Sequence, residues 1–264
     1  FIDQSSGRLV PPLDRTFVTP RGAYQTRDPP ECLRRCRASL SEPESLYLIF
    51  SPVVDIDYGI SEVMSDRAFP SDPLVVRAVG KSYIAGMVNA GMKPVAKHFP
   101  GHGAVLADSH TDQPVDSRSI SDIEKDIGPY LELMKNNLTG IMTAHIVFPS
   151  IDCNIATFSK KWLNEILKQK YSYEGFIFSD DLTMKSAAET GPMPHRIHQA
   201  IDAGCDFILW CHPDESVHSI IEELSEYMTD KTSSYNELRS SPKSLDLRQI
   251  QQGIDELNSL LNMK

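Results

Sequence analysis

Short apolar runs without polar alternation recur along the chain, and amphipathic stretches separate them. Such runs are typical of strands that are buried on both faces of a parallel sheet. They predict one strand that ends at residues 1–3 and further strands at 46–54, 93–97, 140–145, 175–179 and 206–211. A strand that passes directly into polar residues would place those residues at the edge of the sheet.

The stretches between these runs carry apolar residues at helical spacing. They predict helices at 73–90, 121–136, 159–170, 194–203 and 215–228, and a last helix at 245–263. Ser121 with Glu124 forms a capping-box pattern at the start of the second helix. Gly204 follows the fourth helix, as expected for a C-terminal stop.

Repeated alternation of strand and helix predicts a parallel α/β fold. A TIM-type barrel and an open doubly wound sheet both fit this pattern. Phe1 opens the chain without a methionine, and the first residues are typical of the end of a buried strand. We therefore expect the first strand and helix of the fold to be missing. We expect a catalytic α/β domain at 1–228, followed by a polar linker and a C-terminal helix packed on it at 229–264.

Composition narrows the class of partner. The 264 residues carry a formal net charge of −10, which disfavours nucleic acid and anionic membrane surfaces as partners. Five cysteines at irregular spacing predict reduced thiols rather than a disulfide framework. No apolar run reaches membrane-spanning length. We expect a cytoplasmic protein, a monomer, without a cofactor.

The segment 97–110, KHFPGHGAVLADSH, has the highest density of titratable residues. It begins where a strand ends, and loops after strand ends form the active sites of parallel α/β folds. Asp108 can hydrogen-bond one ring nitrogen of His110 and direct the other towards a substrate. Glycines and a lack of apolar anchors favour mobility between Phe99 and His110. A solvated surface loop is the plain alternative.

A second site follows the strand GFIFS, which passes directly into Asp180 and Asp181. A glycosidase needs one ionised carboxylate at such a position, and Asp180 is the nearer to the strand. Asp181 is better explained as the N-cap of the following helix. His145 follows another strand and fits either the mouth of the site or a hydrogen-bonded core position.

Several of these motifs together resemble glycoside hydrolase family 3, in particular its bacterial β-N-acetylglucosaminidases of peptidoglycan recycling. KHFPGHGAVLADSH followed by IFSDDLTM carries most of the resemblance. IDQSSGR is similar to the family's DQEGGR, FSPVVDID to its APVLDV strand, and SDRAFPSDP to its GERSF-x-x-DP. The resemblance extends from Asp3 to about Cys211 and implies the TIM-type barrel rather than the open sheet.

The resemblance also implies roles, position by position. Asp180 is similar to the catalytic nucleophile, and His110 to the general acid/base with Asp108 as its partner. The residues similar to those that bind the terminal N-acetylglucosamine are Asp3, Arg67, Lys97 and His98. Ser5 and Ser6 depart from the family's Glu-Gly, and Asp66 replaces its glutamate. These departures affect loop shape and affinity more than the catalytic positions.

The implied reaction is removal of a non-reducing terminal β-linked N-acetylglucosamine from cell-wall fragments that carry anhydro-N-acetylmuramic acid, with retained configuration. Two alternatives remain at this stage. Phosphate could replace water, because a neutral histidine does not repel an anion, which would give a phosphorylase. A metal-dependent hydrolase could instead use the histidines and Asp108 as ligands. The motifs favour a site without metal.

Overall fold

A computed structural model describes residues 2–3, 48–61, 64, 68, 72–89, 91–107, 109, 112–212, 216–224 and 238. Three of the predicted site residues, Arg67, Asp108 and His110, lie outside these ranges. So does the predicted helix at 245–263. The predicted division of the chain at 228 therefore stays a prediction.

The described residues form eight strands, and six of them build one sheet in the order β1-β8-β7-β4-β3-β2. Every neighbouring pair from β2 to β8 is parallel. The sheet forms a half-barrel, which confirms the parallel α/β class. The strands are β1 (Ile2–Asp3), β2 (Leu48–Ile49), β3 (Lys93–Phe99), β4 (Gly140–Thr143), β5 (Val147–Phe148), β6 (Asp152–Ile155), β7 (Phe176–Asp181) and β8 (Phe207–Leu209).

Two strands differ from the sequence prediction. Strand β1 pairs antiparallel with β8, Ile2 opposite Ile208, although the apolar pattern predicts a parallel strand. A run of apolar residues specifies burial and not strand direction, so the pattern could not decide this. Strand β2 is two residues long because Pro52 has no N–H to donate to a ladder. Pairing resumes only as the single bridge between Val53 and Lys97.

The antiparallel pair β5 and β6 forms a hairpin that the sequence analysis did not predict. It lies between β4 and the next helix. Its two strands are two and four residues long, too short to give a period-two pattern.

The helices pack against the sheet near their predicted positions. They are α1 (Pro73–Asn89), α2 (Ile120–Met134), a π-helix (Lys161–Lys170), α3 (Lys185–Ala188), α4 (Met193–Ala203) and α5 (Val217–Leu224). Gly204 ends α4 in the left-handed conformation with φ 120°, as predicted. The cap of α2 is Ser119 rather than Ser121, since the Ser119 side chain accepts from the Asp122 N–H.

Buried apolar residues form two layers that position the strand ends. The larger cluster joins the sheet to the helices and contains Tyr130, Trp162 and Ile177, all inaccessible to solvent. The second cluster joins side chains of neighbouring strands, including Phe50, Phe178 and Phe207. Leu238, from the predicted C-terminal segment, is buried in this second cluster at 3% exposure.

Candidate active site

The carboxyl ends of the parallel strands bring together residues that are far apart in sequence. Lys97 and His98 lie near the end of β3, His145 follows β4, and Asp180 lies near the end of β7. Strands β3, β4 and β7 are neighbours in the sheet. The described site residues therefore share one edge of the half-barrel, the edge at which active sites form in such folds.

Asp180 is partly exposed, between the buried residues Ser179 and Leu182. Its Oδ1 accepts a hydrogen bond of 2.8 Å from the Asp181 N–H. Ser179 holds the strand end by accepting from the Leu209 N–H at 2.9 Å. These contacts fix the backbone that carries the Asp180 carboxylate.

Charge around Asp180 favours its ionised form. Burial alone would raise the pKa of Asp180, but the imidazoles of His98 and His145, the Asp181 N–H and the Lys97 ammonium outweigh burial and lower it. Asp180 is therefore a carboxylate at neutral pH. A partly exposed carboxylate of this kind can attack an electrophilic carbon or stabilise a positive one.

Asp55 is a buried carboxylate that sequence reasoning did not place in the site. Its Oδ2 lies 2.8 Å from Nδ1 of His98, and its Oδ1 accepts from the His102 N–H at 2.7 Å. The His98 N–H lies 3.2 Å from the same Oδ2. The available signal was a carboxylate directly after the apolar run FSPVV, since an aspartate is rarely fully buried without a partner.

Lys97 and His98 are buried, at 7% and 5% exposure. The Lys97 backbone bonds to both sides of the Pro52 segment: its N–H donates to the Pro52 carbonyl, and its own carbonyl accepts from the Val54 N–H. The two side chains are thus mounted on a backbone that is hydrogen-bonded to the adjacent chain segment.

The loop after β3 has more anchors than the sequence suggests. Val105 is 4% exposed and belongs to the main core, so the expectation of a loop without apolar anchors is wrong. Ser109 is also buried: its hydroxyl lies 3.3 Å from Nε2 of His102, and its carbonyl accepts from the Ser186 N–H. Ser109 stands between Asp108 and His110 in the sequence.

His145 is a hydrogen-bonded core histidine beside the site. It is fully buried, with Nδ1 at 2.8 Å from the Thr157 hydroxyl and Nε2 at 3.0 Å from the Asp181 carbonyl. Its ring stacks on Phe158 at 6.0 Å. Burial lowers the pKa of His145, so the ring is neutral near pH 7. The ring positions the end of β7 through the Asp181 carbonyl.

Asp181 does not cap a helix. Its carboxylate accepts from the N–H and the hydroxyl of Thr183, at 3.0 and 2.6 Å, and from the Cys211 N–H at 3.1 Å. Helix α3 begins only at Lys185. Asp181 therefore closes a tight turn and ties the ends of β7 and β8 together, which corrects the N-cap prediction.

A buried ion-pair network supports the site from the side of α2. Arg118 bonds both Asp116 and Asp126, and Asp126 also accepts from the Tyr58 hydroxyl at 2.5 Å. Burial and the contact with Asp126 raise the pKa of Tyr58 to about 12. A side chain at Gly101 would meet Asp126, its Cβ only 2.8 Å away, so this network packs against the loop.

Two searches of the described residues bear on the alternatives. Nowhere in those ranges do three His, Cys, Asp or Glu side chains group as metal ligands. None of the described helices has the length and apolarity needed to cross a membrane. Of Asp3, only the backbone in β1 is described.

The chain belongs to glycoside hydrolase family 3. Residues 42–240 match the glycosyl hydrolase family 3 N-terminal domain, which is three quarters of the sequence. The family is the one that the sequence motifs resemble.

Individual relatives agree with the family assignment. The chain is 46% identical to a β-hexosaminidase of Hydrogenovibrio crunogenus over 67% of this chain and 50% of that protein. It is 38% identical to a β-hexosaminidase of Nitrosomonas eutropha over 84% of this chain and 67% of that protein. It thus spans about half to two thirds of the length of these relatives.

A solved structure shares the fold. NagZ from Neisseria gonorrhoeae, in complex with N-trifluoroacetyl-D-glucosamine, superposes with a TM-score of 0.68 at 30% identity. The match covers 85% of this chain and 65% of that one.

Proposed function

We propose that this protein is a retaining β-N-acetylhexosaminidase with Asp180 as its nucleophile. The observation that carries the proposal is the ionised, partly exposed Asp180 at the carboxyl end of β7, beside buried Lys97, His98 and His145. Membership of glycoside hydrolase family 3 and relatives named β-hexosaminidase support the same conclusion.

The proposed reaction has two displacements. Asp180 attacks the anomeric carbon while protonated His110 gives its proton to the departing glycosidic oxygen, which forms a glycosyl ester. Neutral His110 then takes a proton from water, the water oxygen bonds the anomeric carbon, and the Asp180 ester bond breaks. Asp108 orients His110 in this proposal. Proton transfer of this kind contributes about 10²–10⁴-fold.

We further propose that Lys97, His98, Arg67 and Asp3 bind the terminal sugar. Lys97 and His98 are buried on a fixed backbone, which suits recognition of hydroxyl groups because little side-chain freedom is lost on binding. The resemblance of the motifs supports Arg67 and Asp3. A fragment of the cell wall that carries N-acetylglucosamine on anhydro-N-acetylmuramic acid is the substrate that we infer.

The same proposal includes the larger setting. We infer a complete TIM-type barrel, closed by strands beyond those described, in a cytoplasmic monomer. The half-barrel of parallel strands and the shared fold of NagZ support this inference.

The decisive experiment is to trap the covalent intermediate. The full chain is incubated with a fluorinated N-acetylglucosaminyl fluoride, which slows the second displacement more than the first. Fragment mass spectrometry should place the sugar on Asp180. A sugar on any other residue, or turnover without an adduct by the Asp180→Asn variant, would overturn the nucleophile assignment.

Asp181→Asn is the matched control, because it neutralises the adjacent carboxylate. We expect Asp180→Asn to lower kcat by about 10³-fold or more, and Asp181→Asn to retain the adduct. Product analysis in phosphate buffer accompanies this test. Free N-acetylglucosamine as the product indicates hydrolysis, whereas a sugar 1-phosphate would contradict it.

A further inference from the structure

Asp55 receives hydrogen bonds from three groups of the loop after β3. Oδ1 accepts from the His102 N–H at 2.7 Å, and the His98 N–H lies 3.2 and 3.3 Å from the two oxygens. Nδ1 of His98 lies 2.8 Å from Oδ2. The Asp55 side chain is inaccessible to solvent, and that of His98 is 6% exposed.

These contacts determine which ring nitrogen of His98 carries the proton. Burial alone would raise the pKa of Asp55, but His98 and His102 lower it below its usual value, so Asp55 is ionised. An ionised carboxylate can only accept hydrogen bonds, so Nδ1 of His98 must carry a hydrogen. Burial lowers the pKa of His98, which leaves the ring neutral and its Nε2 a bare lone pair.

We propose that Asp55 is a positioning residue that holds His98 with its proton on Nδ1, so that Nε2 accepts a hydrogen bond from a hydroxyl of the terminal sugar. The neighbouring Lys97 ammonium can only donate. The pair therefore requires one sugar oxygen that accepts and one hydroxyl that donates. This inference rests on the proposed function, since it assumes that His98 faces the sugar.

Substrate analogues separate the two roles. Replacing a hydroxyl by fluorine keeps an acceptor and removes the donor, whereas replacing it by hydrogen removes both. Chromogenic N-acetylglucosaminides that are fluorinated or deoxygenated at each ring hydroxyl in turn are the probes. At the hydroxyl that donates to His98, fluorine places its lone pairs against Nε2, so wild type should cleave the fluoro analogue more slowly than the deoxy analogue.

Asp55→Asn should reverse this preference. The amide oxygen stays where it accepts from the His102 N–H, which puts the NH₂ group at the Oδ2 position, 2.8 Å from Nδ1. An NH₂ group donates, so Nδ1 loses its hydrogen and Nε2 gains one. Donation to fluorine then becomes favourable, and the ratio of fluoro to deoxy kcat/KM should rise about tenfold relative to wild type, the factor for one hydrogen bond.

Asp116→Asn is the matched control. Asp116 is also buried, at 2% exposure, but bonds Arg118 rather than His98. General destabilisation by loss of a buried carboxylate should lower activity in both variants and leave the ratio in Asp116→Asn unchanged. An unchanged ratio in Asp55→Asn would overturn the proposal.

Nuclear magnetic resonance tests the tautomer without relying on activity. In the full chain with ¹⁵N-labelled histidine, the His98 signal is identified by its loss in His98→Gln. We expect a protonated Nδ1 and a bare Nε2 at neutral pH in wild type. A proton on Nε2 would refute the role of Asp55. Lack of turnover with the expected tautomer would instead refute the proposed function.

Discussion

At the scale of single residues, the site depends on polar side chains that are buried and hydrogen-bonded. Lys97, His98 and Asp180 could be predicted because each follows an apolar run. Asp55 could not be placed, since its role depends on a partner 43 residues away. Strand ends locate such residues, whereas pairing between strands decides which of them meet.

Gly103 gives a prediction at this scale. A Cβ at this position would lie 1.8 Å from the Ile56 carbonyl oxygen, which is impossible without moving the backbone. Gly103→Ala should therefore displace the loop between Lys97 and Ser109 and lower kcat/KM by about tenfold or more, because small displacements of catalytic groups are costly. Steady-state kinetics with a chromogenic N-acetylglucosaminide measure the effect.

Gly59→Ala is the control for the glycine substitution. Gly59 has φ 71° but open space around its Cβ position, so alanine there is strained without pushing on a neighbour. Its effect should appear in the free energy of unfolding rather than in kcat/KM. Equal kinetic losses in both variants would show that the close approach to Ile56 has no particular role.

At the scale of elements, apolar periodicity located the helices better than the strands. Each described helix lies near its predicted range, because a long apolar face repeats several times. Strand β2 is shortened by Pro52, and the β5–β6 hairpin has strands too short to produce a pattern. The π-helix Lys161–Lys170 was predicted only as a helix, since apolar spacing does not specify its hydrogen bonding.

The cap of α2 can be tested directly. Ser119→Ala removes the hydroxyl that accepts from the Asp122 N–H and should lower the free energy of unfolding by about 1 kcal/mol. Ser121→Ala removes only a hydroxyl contact of 2.9 Å to Ser119 and should change it by less than about 0.5 kcal/mol. Urea unfolding of both variants distinguishes the caps, and a larger loss in Ser121→Ala would contradict the assignment to Ser119.

At the scale of the whole molecule, the sequence indicated a parallel α/β fold and left barrel and open sheet undecided. The resemblance of the motifs favoured the barrel, and the half-barrel agrees with the parallel class. The antiparallel β1 was beyond prediction, because side-chain pattern is the same for both strand directions. Burial across the whole fold also sets how stability responds to acid.

Acid should destabilise the fold through two buried histidines. His98 and His145 have pKa values below their usual value of about 6.5, because burial disfavours their charged forms. Below that pH the unfolded chain binds protons that the folded chain does not. Stability is therefore present above about pH 6.5 and lost as pH falls, by up to about 1.4 kcal/mol per pH unit for each histidine.

Urea unfolding between about pH 7.5 and 5.5 measures this dependence. His145→Gln should make the slope shallower by up to about 1.4 kcal/mol per pH unit. The exposed His218 is the control, and His218→Gln should leave the slope unchanged. A slope that does not change in His145→Gln would mean that this ring titrates normally in the folded state.

Leu238 has a practical consequence for anyone who shortens this protein. It is buried against the aromatic side chains of Phe50, Phe178 and Phe207, although it stands ten residues after the domain boundary that the sequence suggests at 228. Truncation at that boundary would uncover oily rings on the sheet and invite aggregation. A fragment intended for expression should therefore extend past Leu238.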